Sequence, residues 1–262
     1  MKKKADWVKE QRVFFDNLVD KEKENEDNWK NDFLNPSIFI RRRDEDFLKF
    51  GMGNCLKDGK FLTKNLSILD VGSGRGDLTL FLLQKGFKVS ALDISKKSLE
   101  VLEKRVTKLG LSRGLKKIIF GTLEDNIDKI RNSFDYVVCY NFLHHVSDIE
   151  GTIDLMGKAA KPGGSIVFIE PNGKYPLWRF YRSESFFQWE YEKGTLNCFK
   201  RNFENILRRK EFKEFEILPI CFFPARVINR FPNLTRILDD ILRRTFFSSF
   251  STGIMGKAKK PI

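Results

Sequence analysis

SILDVGSGRGDL, residues 67–78, reads as an apolar strand that runs into a glycine-rich turn and then into the apolar start of a helix. Gly72, Gly74 and Gly76 stand at alternate positions of this turn. Glycine accepts positive φ and has no Cβ, so the backbone can bend sharply and a ligand can approach it closely. The N-terminus of the following helix adds free N–H groups. The stretch therefore predicts a strand–turn–helix unit that holds a small molecule against the main chain.

The spacing of the glycines narrows the choice of ligand. A dinucleotide-binding turn follows the pattern G-x-G-x-x-G, but here Asp77 stands where its third glycine would be. The Gly-Lys-Ser/Thr of a phosphate-binding loop does not follow either. The next apolar run, 87–92, ends in Asp93, whose carboxylate could accept hydrogen bonds from both hydroxyls of a ribose. A turn without phosphate-binding features, followed by an acid suited to ribose, predicts a nucleoside ligand.

These residues resemble the first motifs of the class I S-adenosylmethionine-dependent methyltransferases, and the resemblance covers roughly 67–171. It continues through GTLED at 121–125, YNFLHHV at 140–146 and KPGG at 161–164. Ser73 is a small departure, because the family often has Cys there. The resemblance implies a Rossmann-like, doubly wound α/β sheet of seven mostly parallel strands with an antiparallel last strand. It also implies S-adenosyl-L-methionine as the cofactor.

The resemblance assigns roles to the cofactor-binding residues. Asp93, with a contribution from Glu124, would anchor the ribose and adenine region, and Asp70 would organise the glycine turn. Backbone at Asn141 and at the first two glycines of the turn would hold the methionine end. The complete implied set is Asp70, Gly72, Ser73, Gly74, Gly76, Asp93, Ile94, Leu123, Glu124 and Asn141.

The catalytic candidates follow the predicted fourth strand. A sulfonium methyl is already activated, so alignment and exclusion of water are the main requirements, and we predict no metal. A hydroxyl or phenol acceptor would benefit from a base of near-neutral pKa, for which histidine is suited. His144 and His145 are the two histidines of the chain, and Tyr140 is a weaker candidate beside them. A structural role for the histidine pair is the alternative.

Alternating strands and helices from residue 66 onward predict right-handed βαβ units and a parallel sheet. The strands that follow the first two are expected at 116–120, 134–140, 165–169 and 215–222. The last, at about 252–259, is expected as an antiparallel edge strand. Ligands of such sheets bind beyond the carboxyl ends of the strands, where Asp93 and Asn141 fall.

A helical extension precedes the sheet. Apolar residues recur at helical spacing over 5–24, and a second helical segment, within 38–56, is expected to stop near Gly51. We predict an extension or cap at 1–64 and a methyltransferase domain at 65–262. Arg41, Arg42 and Arg43 could meet the carboxylate of the methionine moiety, with ordinary surface charge as the alternative.

Two insertions are predicted in the second half of the chain, at about 173–198 and 224–247. The first is crowded with aromatic residues between 175 and 191, which indicates a lid over the acceptor pocket or a small satellite core. The second places apolar residues beside several arginines. Such a basic amphipathic segment could lie in a membrane interface, or it could be an ordinary helix packed on the sheet.

Composition bears on partners and location. The net charge is +13, and 171–262 contains 18 Lys and Arg against 9 Asp and Glu. A basic surface of this kind can bind anionic lipid or nucleic acid, or it can be an ordinary solvated surface. The N-terminus has no apolar signal-peptide core, and no apolar run approaches the ~18 residues needed to span a bilayer. The four cysteines lie far apart, without the spacing of a zinc site or disulfide framework. We therefore expect a cytoplasmic protein, with membrane association as a further option.

We predict methyl transfer to a small-molecule or lipid-like acceptor by direct in-line displacement, with peripheral membrane contact through 224–247. An RNA methyltransferase is one alternative, although residues 140–143 do not resemble the Asn/Asp-Pro-Pro-aromatic signature of amino-directed nucleic-acid enzymes. A non-catalytic, cofactor-binding regulator is the other alternative.

Overall fold

The computed structural model describes residues 4–22, 29–53, 56–57, 60–61, 66–176 and 192–262. Its centre is a seven-stranded sheet. The strands are β1 Ser67–Val71, β2 Lys88–Asp93, β3 Leu115–Phe120, β4 Phe134–Tyr140, β5 Ala160–Pro171, β6 Lys213–Ile220 and β7 Gly253–Lys259. They lie side by side in the order β3-β2-β1-β4-β5-β7-β6. A separate two-stranded hairpin pairs Leu56–Lys57 with Lys60–Phe61.

The predicted doubly wound sheet with an antiparallel last strand is confirmed. The pairs β1–β2, β1–β4, β2–β3 and β4–β5 are parallel, and β7 is antiparallel to both of its neighbours. The expectation that β7 forms the edge is wrong, because it lies between β5 and β6. Successive residues Ile254, Met255 and Gly256 are all buried, as a strand covered on both faces requires, whereas β6 begins with exposed residues.

The helices cover both faces of the sheet. They are α1 Lys4–Glu22, α2 Trp29–Leu34, α3 Ile38–Asp46, α4 Asp77–Gln84, α5 Lys96–Lys108, α6 Leu123–Ile130, α7 Ile149–Ala159, α8 Lys200–Arg209, α9 Ala225–Arg230 and α10 Pro232–Leu242. Short non-α turns occupy Phe47–Gly51, Leu143–His145, Lys193–Asn197 and Phe246–Phe250. None of the helices in these described ranges is both long and apolar enough to cross a bilayer.

Side chains alternate between the two faces of the central strands and build one core on each. Leu69 and Val71 of β1 belong to the core beneath α6, α7 and α8, whereas Ile68 belongs to the core beneath α4 and α5. Cys139 is fully buried in the first core. Because β1 and β4 are covered on both faces, their carboxyl ends are held rigidly in place.

The N-terminal helices pack onto this framework, and the helical predictions for 5–24 and for the segment ending near Gly51 are confirmed. Helix α1 packs on α5, where Ser95 Oγ donates to Asp16 Oδ1 at 2.6 Å and Lys97 pairs with Asp20. Helix α3 packs on α9. The division at residues 64 and 65 stays a prediction. The predicted aromatic lid also stays a prediction, because 177–191 lies outside the described residues.

Candidate active site

A cavity of about 170 Å³ opens at the carboxyl ends of β1, β2 and β4. Its floor is the glycine-rich turn, its side walls come from the residues after β2, β3 and β4, and its roof is α1. Seven of the predicted cofactor-binding residues line it. These are Gly72, Gly74, Asp93, Ile94, Leu123, Glu124 and Asn141, joined by the catalytic candidate His145.

The glycine turn is fixed by hydrogen bonds to β2. The amide of Gly72 donates to Leu92 O at 2.8 Å, and the amide of Gly74 donates to Asp93 Oδ2 at 2.8 Å. Gly72 has φ +69°, and a Cβ there would lie 2.3 Å from the ring of Phe142. The N–H groups of both glycines are therefore already used within the protein, and a ligand meets other backbone atoms of the turn.

Asp93 ends β2 at the cavity wall. Its Oδ1 accepts a hydrogen bond from the amide of Ser95 at 2.7 Å, while Oδ2 binds Gly74. Burial raises the pKa of this carboxyl, and the backbone hydrogen bonds partly oppose that rise. The side chain is thus held rigidly at the position that the sequence assigned to ribose recognition.

Three predicted cofactor-binding residues support the turn from behind and do not line the cavity. Asp70 is buried and accepts a hydrogen bond from Thr79 Oγ1 at 2.6 Å, which joins β1 to α4 across the turn. Burial raises its pKa to about 7. Gly76 is the N-cap of α4 with φ +95°, and Ser73 is buried. The bond to Thr79 is in line with the role of organising the turn that was predicted for Asp70. The cofactor-binding roles of Ser73 and Gly76 stay predictions.

His144 is enclosed by carboxylates. Its Nδ1 lies 2.6 Å from Glu170 Oε2, and its Nε2 lies 3.3 Å from Glu192 Oε2. Burial alone would lower its pKa, but the two carboxylates raise it to about 9. Glu170 Oε1 also accepts from the amides of Phe142 and Leu143. His144 does not line the cavity, and these contacts favour the structural alternative, while its catalytic role stays a prediction.

Tyr140 is also placed away from the cavity. Its hydroxyl accepts a hydrogen bond from Arg43 Nη1 at 2.7 Å, and the guanidinium carbon lies 4.4 Å from the ring centroid. Successive residues of a strand point to opposite faces, and Tyr140 belongs to the core opposite the cavity side of β4. This placement does not favour a catalytic role for Tyr140, which stays a prediction. Burial raises its pKa, although Arg43 opposes the rise.

The arginine cluster of α3 does not reach the cavity. Arg42 pairs with the buried Asp239 of α10, and Arg43 pairs with Asp44 and Tyr140. Arg41 lies at a separate surface pocket. The prediction that these arginines meet the methionine carboxylate is therefore wrong, since the packing of α3 directs them to other partners.

His145 is the one catalytic candidate of the three that lines the cavity. Its carbonyl oxygen accepts a hydrogen bond from Trp7 Nε1 at 2.9 Å, and its ring packs edge-on against Phe15 at 5.2 Å. Ligand atoms of His144, His145 and Glu192 lie within 4.8 Å of one another, so this group could hold a metal ion. Glu192 already pairs with His144 there, and both the catalytic role of His145 and the expectation of no metal stay predictions.

Sequence reasoning missed the residues that form the roof. They are Trp7, Val8, Gln11 and Phe15, which share one face of α1. Their spacing of one, three and four residues fits an amphipathic helix, but periodicity alone does not say which side chains meet the cavity. Gln11 is unusual among them, because its side chain is buried and neither its Nε2 nor its Oε1 has a hydrogen-bond partner.

A doubly wound sheet with a ligand cavity at its glycine-rich turn defines an α/β protein that binds a small molecule at the carboxyl edge of the strands. Comparison with protein families narrows this class. The family described as "Methyltransferase domain" matches residues 41–215, and the chain belongs to that family.

Similar proteins include ubiquinone biosynthesis O-methyltransferases. That of Idiomarina loihiensis is 34% identical over 121 residues, which are 46% of this chain and 47% of that protein. That of Vibrio atlanticus is 32% identical over 113 residues, 43% of this chain and 46% of that protein. The chain thus spans about half the length of the relatives it matches.

Solved structures share the fold. Phosphoethanolamine N-methyltransferase 2 of Haemonchus contortus, solved with phosphomonomethylethanolamine and S-adenosylhomocysteine, has a TM-score of 0.58 at 20% identity, covering 84% of this chain and 53% of that one. A SAM-dependent methyltransferase of Archaeoglobus fulgidus has a TM-score of 0.56 at 16% identity, covering 84% and 94%. At these identities the likeness concerns the fold alone.

Proposed function

We propose that the protein is an S-adenosylmethionine-dependent methyltransferase that transfers the methyl group directly to a small-molecule or lipid-like acceptor. The observation that carries this proposal is one cavity, in a chain of the methyltransferase domain family, with Asp93 and the glycine-rich turn side by side in its wall. When bound, the cofactor supplies a methyl group activated by a sulfonium.

The residues present fit this cofactor. Asp93 offers carboxylate oxygens where a ribose diol would lie, and Ile94 and Leu123 provide apolar walls suited to an adenine ring. Trp7 and Phe15 of α1 cover the cavity and restrict the access of water, which strengthens polar interactions inside. His145 lines the cavity, and in this proposal it accepts the proton of a hydroxyl acceptor.

The acceptor class is supported by the similarity to ubiquinone biosynthesis O-methyltransferases. A lipid-like acceptor also agrees with the apolar roof of the cavity. We therefore propose an acceptor with an aromatic or quinone-like head and an apolar tail.

The test is incubation of the purified protein with methyl-labelled S-adenosylmethionine and a fractionated lysate, with Asp93→Ala as the inactive control. Label in the lipid extract that disappears with Asp93→Ala is the expected result. Label confined to RNA would instead support the alternative nucleic-acid enzyme. Cofactor binding without label in any fraction would overturn catalysis on these acceptors and support a regulator.

We also propose that the protein is a cytoplasmic enzyme that contacts the membrane peripherally through 224–247. In helix α10 two polar residues are buried and several apolar residues are exposed. Its buried residues are Thr235 and Asp239, whereas Leu234, Ile237 and Ile241 are each more than half exposed. An apolar stripe on the exposed side of a helix is typical of a surface that contacts another apolar phase.

The apolar stripe continues beyond α10. Phe246 is 81% exposed. Its ring centroid lies 6.2 Å from that of Phe247 and 6.1 Å from that of Phe250. We call the exposed apolar residues of 231–250 the docking face: Phe231, Leu234, Ile237, Ile241, Phe246, Phe247 and Phe250.

Exposed arginines accompany the docking face along the chain. Arg226, Arg230, Arg236 and Arg244 are exposed in the same segment. Juxtaposed apolar and basic side chains match the acyl and headgroup layers of an anionic bilayer, where each basic residue contributes about 1 kcal/mol near the surface. This charge complementarity favours a lipid surface as the occupant, and it suits an enzyme whose acceptor has an apolar tail.

The membrane proposal is tested by co-sedimentation with phosphatidylcholine vesicles with and without phosphatidylglycerol. The wild type should pellet with the anionic vesicles, and the triple variant Leu234→Ser, Ile237→Ser, Ile241→Ser should remain in solution. Leu34→Ser, at an exposed position of α2, is the matched control and should pellet. A soluble wild type, or a triple variant that still pellets, would contradict the proposal. A change in the oligomeric state of the triple variant without vesicles would point to a second copy as the occupant.

A further inference from the structure

We infer that Gln11 binds the amino-acid end of the cofactor, so that α1 forms part of the cofactor site. This inference rests on the proposed function, because it concerns the same cavity. It assigns to one side chain a task for which the sequence had suggested the arginines of α3.

The observation is an unpaired buried amide. Gln11 is 2% exposed, and its Nε2 and Oε1 both lack a hydrogen-bond partner. Among the described residues, no other cavity-lining side chain has buried polar atoms without a partner. Leaving a buried polar group unsatisfied costs about 1–3 kcal/mol, so such groups normally have a reason to be retained. A polar ligand group in the cavity provides one.

The position of Gln11 identifies the part of the cavity that it faces. Trp7 and Phe15, one turn before and one turn after it on the same face of α1, both contact His145. Gln11 therefore faces the end of the cavity beside β4, where Asn141 also contributes. Asp93, at the end of β2, is the group suited to the ribose, so the two residues serve different parts of one ligand.

The chemistry of the amide fits an amino-acid group. A carboxylate only accepts hydrogen bonds and an ammonium only donates them, whereas a glutamine amide has two N–H donors and one carbonyl acceptor. A single amide can therefore satisfy either charge of the zwitterion or bridge both. Arg42 and Arg43, which would otherwise be suited to a carboxylate, are bound to Asp239 and to Asp44 and Tyr140.

The test compares two ligands that differ only at this end. S-adenosylhomocysteine has the amino-acid group, and 5′-methylthioadenosine has the same nucleoside and thioether but lacks it. Calorimetric titration of Gln11→Met, which keeps the length of the side chain and removes its polar atoms, should give at least about tenfold weaker binding of S-adenosylhomocysteine. Binding of 5′-methylthioadenosine should change less than about twofold, because its contacts do not include the amide.

A control separates this effect from a change in folding. Gln84→Met, at an exposed position of α4, should leave both affinities as in the wild type. Equal loss of both ligands in Gln11→Met, or no loss of either, would overturn the inference while the proposed function stands. A folded wild type that binds neither ligand would overturn the proposed function itself, and the inference with it.

Discussion

The amide of Gly74 donates a hydrogen bond of 2.8 Å to the carboxylate of Asp93, and this bond joins two residues 19 positions apart. It fastens the glycine-rich turn after β1 to the end of β2. The second oxygen of the same carboxylate binds the amide of Ser95 at the start of α5. One side chain thus fixes the floor of the cavity, its wall and the helix on which α1 rests.

Asp93→Asn should weaken both the fold and cofactor binding. The amide can accept at only one of its two ends, so one of the bonds to Gly74 and Ser95 is lost, at a cost of about 1–3 kcal/mol in the free energy of unfolding. S-adenosylhomocysteine should bind at least about tenfold more weakly, which calorimetry measures. Asp128→Asn, at an exposed carboxylate of α6, is the control. Unchanged binding in Asp93→Asn would contradict the assigned role.

Gly72→Ala should destabilise the protein more than Gly110→Ala. Both glycines have nearly the same positive φ, +69° and +70°, but a Cβ at Gly110 meets nothing within 4 Å, whereas one at Gly72 lies 2.3 Å from Phe142. The strain of positive φ alone costs about 1–2 kcal/mol, and the clash at Gly72 adds about 1–3 kcal/mol. Chemical unfolding measures the difference, and equal losses would refute the argument from close approach.

His144 should stabilise the fold in a pH-dependent manner. Its pKa is raised from 6.5 to about 9 by Glu170 and Glu192, so its contribution is complete below pH 6.5 and is lost as pH rises through 9. Removing one partner of a buried pair costs about 3–5 kcal/mol, which is the loss expected for His144→Gln at pH 6. The difference from the wild type should shrink by pH 9.5, as unfolding in urea would measure. A difference that is constant with pH would contradict a protonated His144.

Asp70 should also make stability fall as pH rises, but in a lower pH window. Its pKa is raised from 3.8 to about 7, so the folded protein retains a proton that the unfolded chain releases, and stability falls as pH rises through this window. Asp70→Asn keeps an acceptor for Thr79 and removes the titration. Its stability relative to the wild type should rise between pH 4 and 7, by about 1.4 kcal/mol per pKa unit, and then level off. Parallel stability curves for the two proteins would show that Asp70 does not titrate in this range.

Breaking the buried pair of Arg42 and Asp239 should lower the free energy of unfolding strongly, whereas replacing both residues by apolar ones should lower it much less. Asp239 also accepts a hydrogen bond from the amide of Phe222. Arg42 binds Asp239 through Nη2, and its Nε and Nη1 have no hydrogen-bond partner among the described residues. Asp239→Ala leaves a buried guanidinium and should cost about 3–5 kcal/mol, whereas Arg42→Met with Asp239→Leu removes both charges and should cost much less. Thermal unfolding of the two variants provides the comparison, and similar losses in both would contradict this account.

The sequence predicted the glycine-rich turn, the strand that precedes it and the acid at the end of β2. These features depend on properties within a few residues, namely the φ that glycine permits and apolar periodicity. Helix capping is equally local, since Ser95 accepts from the amide of Ser98 only three residues away. The class of fold followed because strand and helix signals alternate along the chain.

Only the tertiary structure decided which side chains meet. Trp7 and His145, 138 residues apart, place α1 over the cavity, and Arg42 and Asp239, 197 residues apart, direct the arginines of α3 away from it. The same holds for Glu170 beside His144 and for β7 between β5 and β6. Periodicity indicates that a helix has an apolar face, and residue type indicates that a side chain can form an ion pair. The partner in each case is selected by the packing of distant segments, which local sequence does not encode.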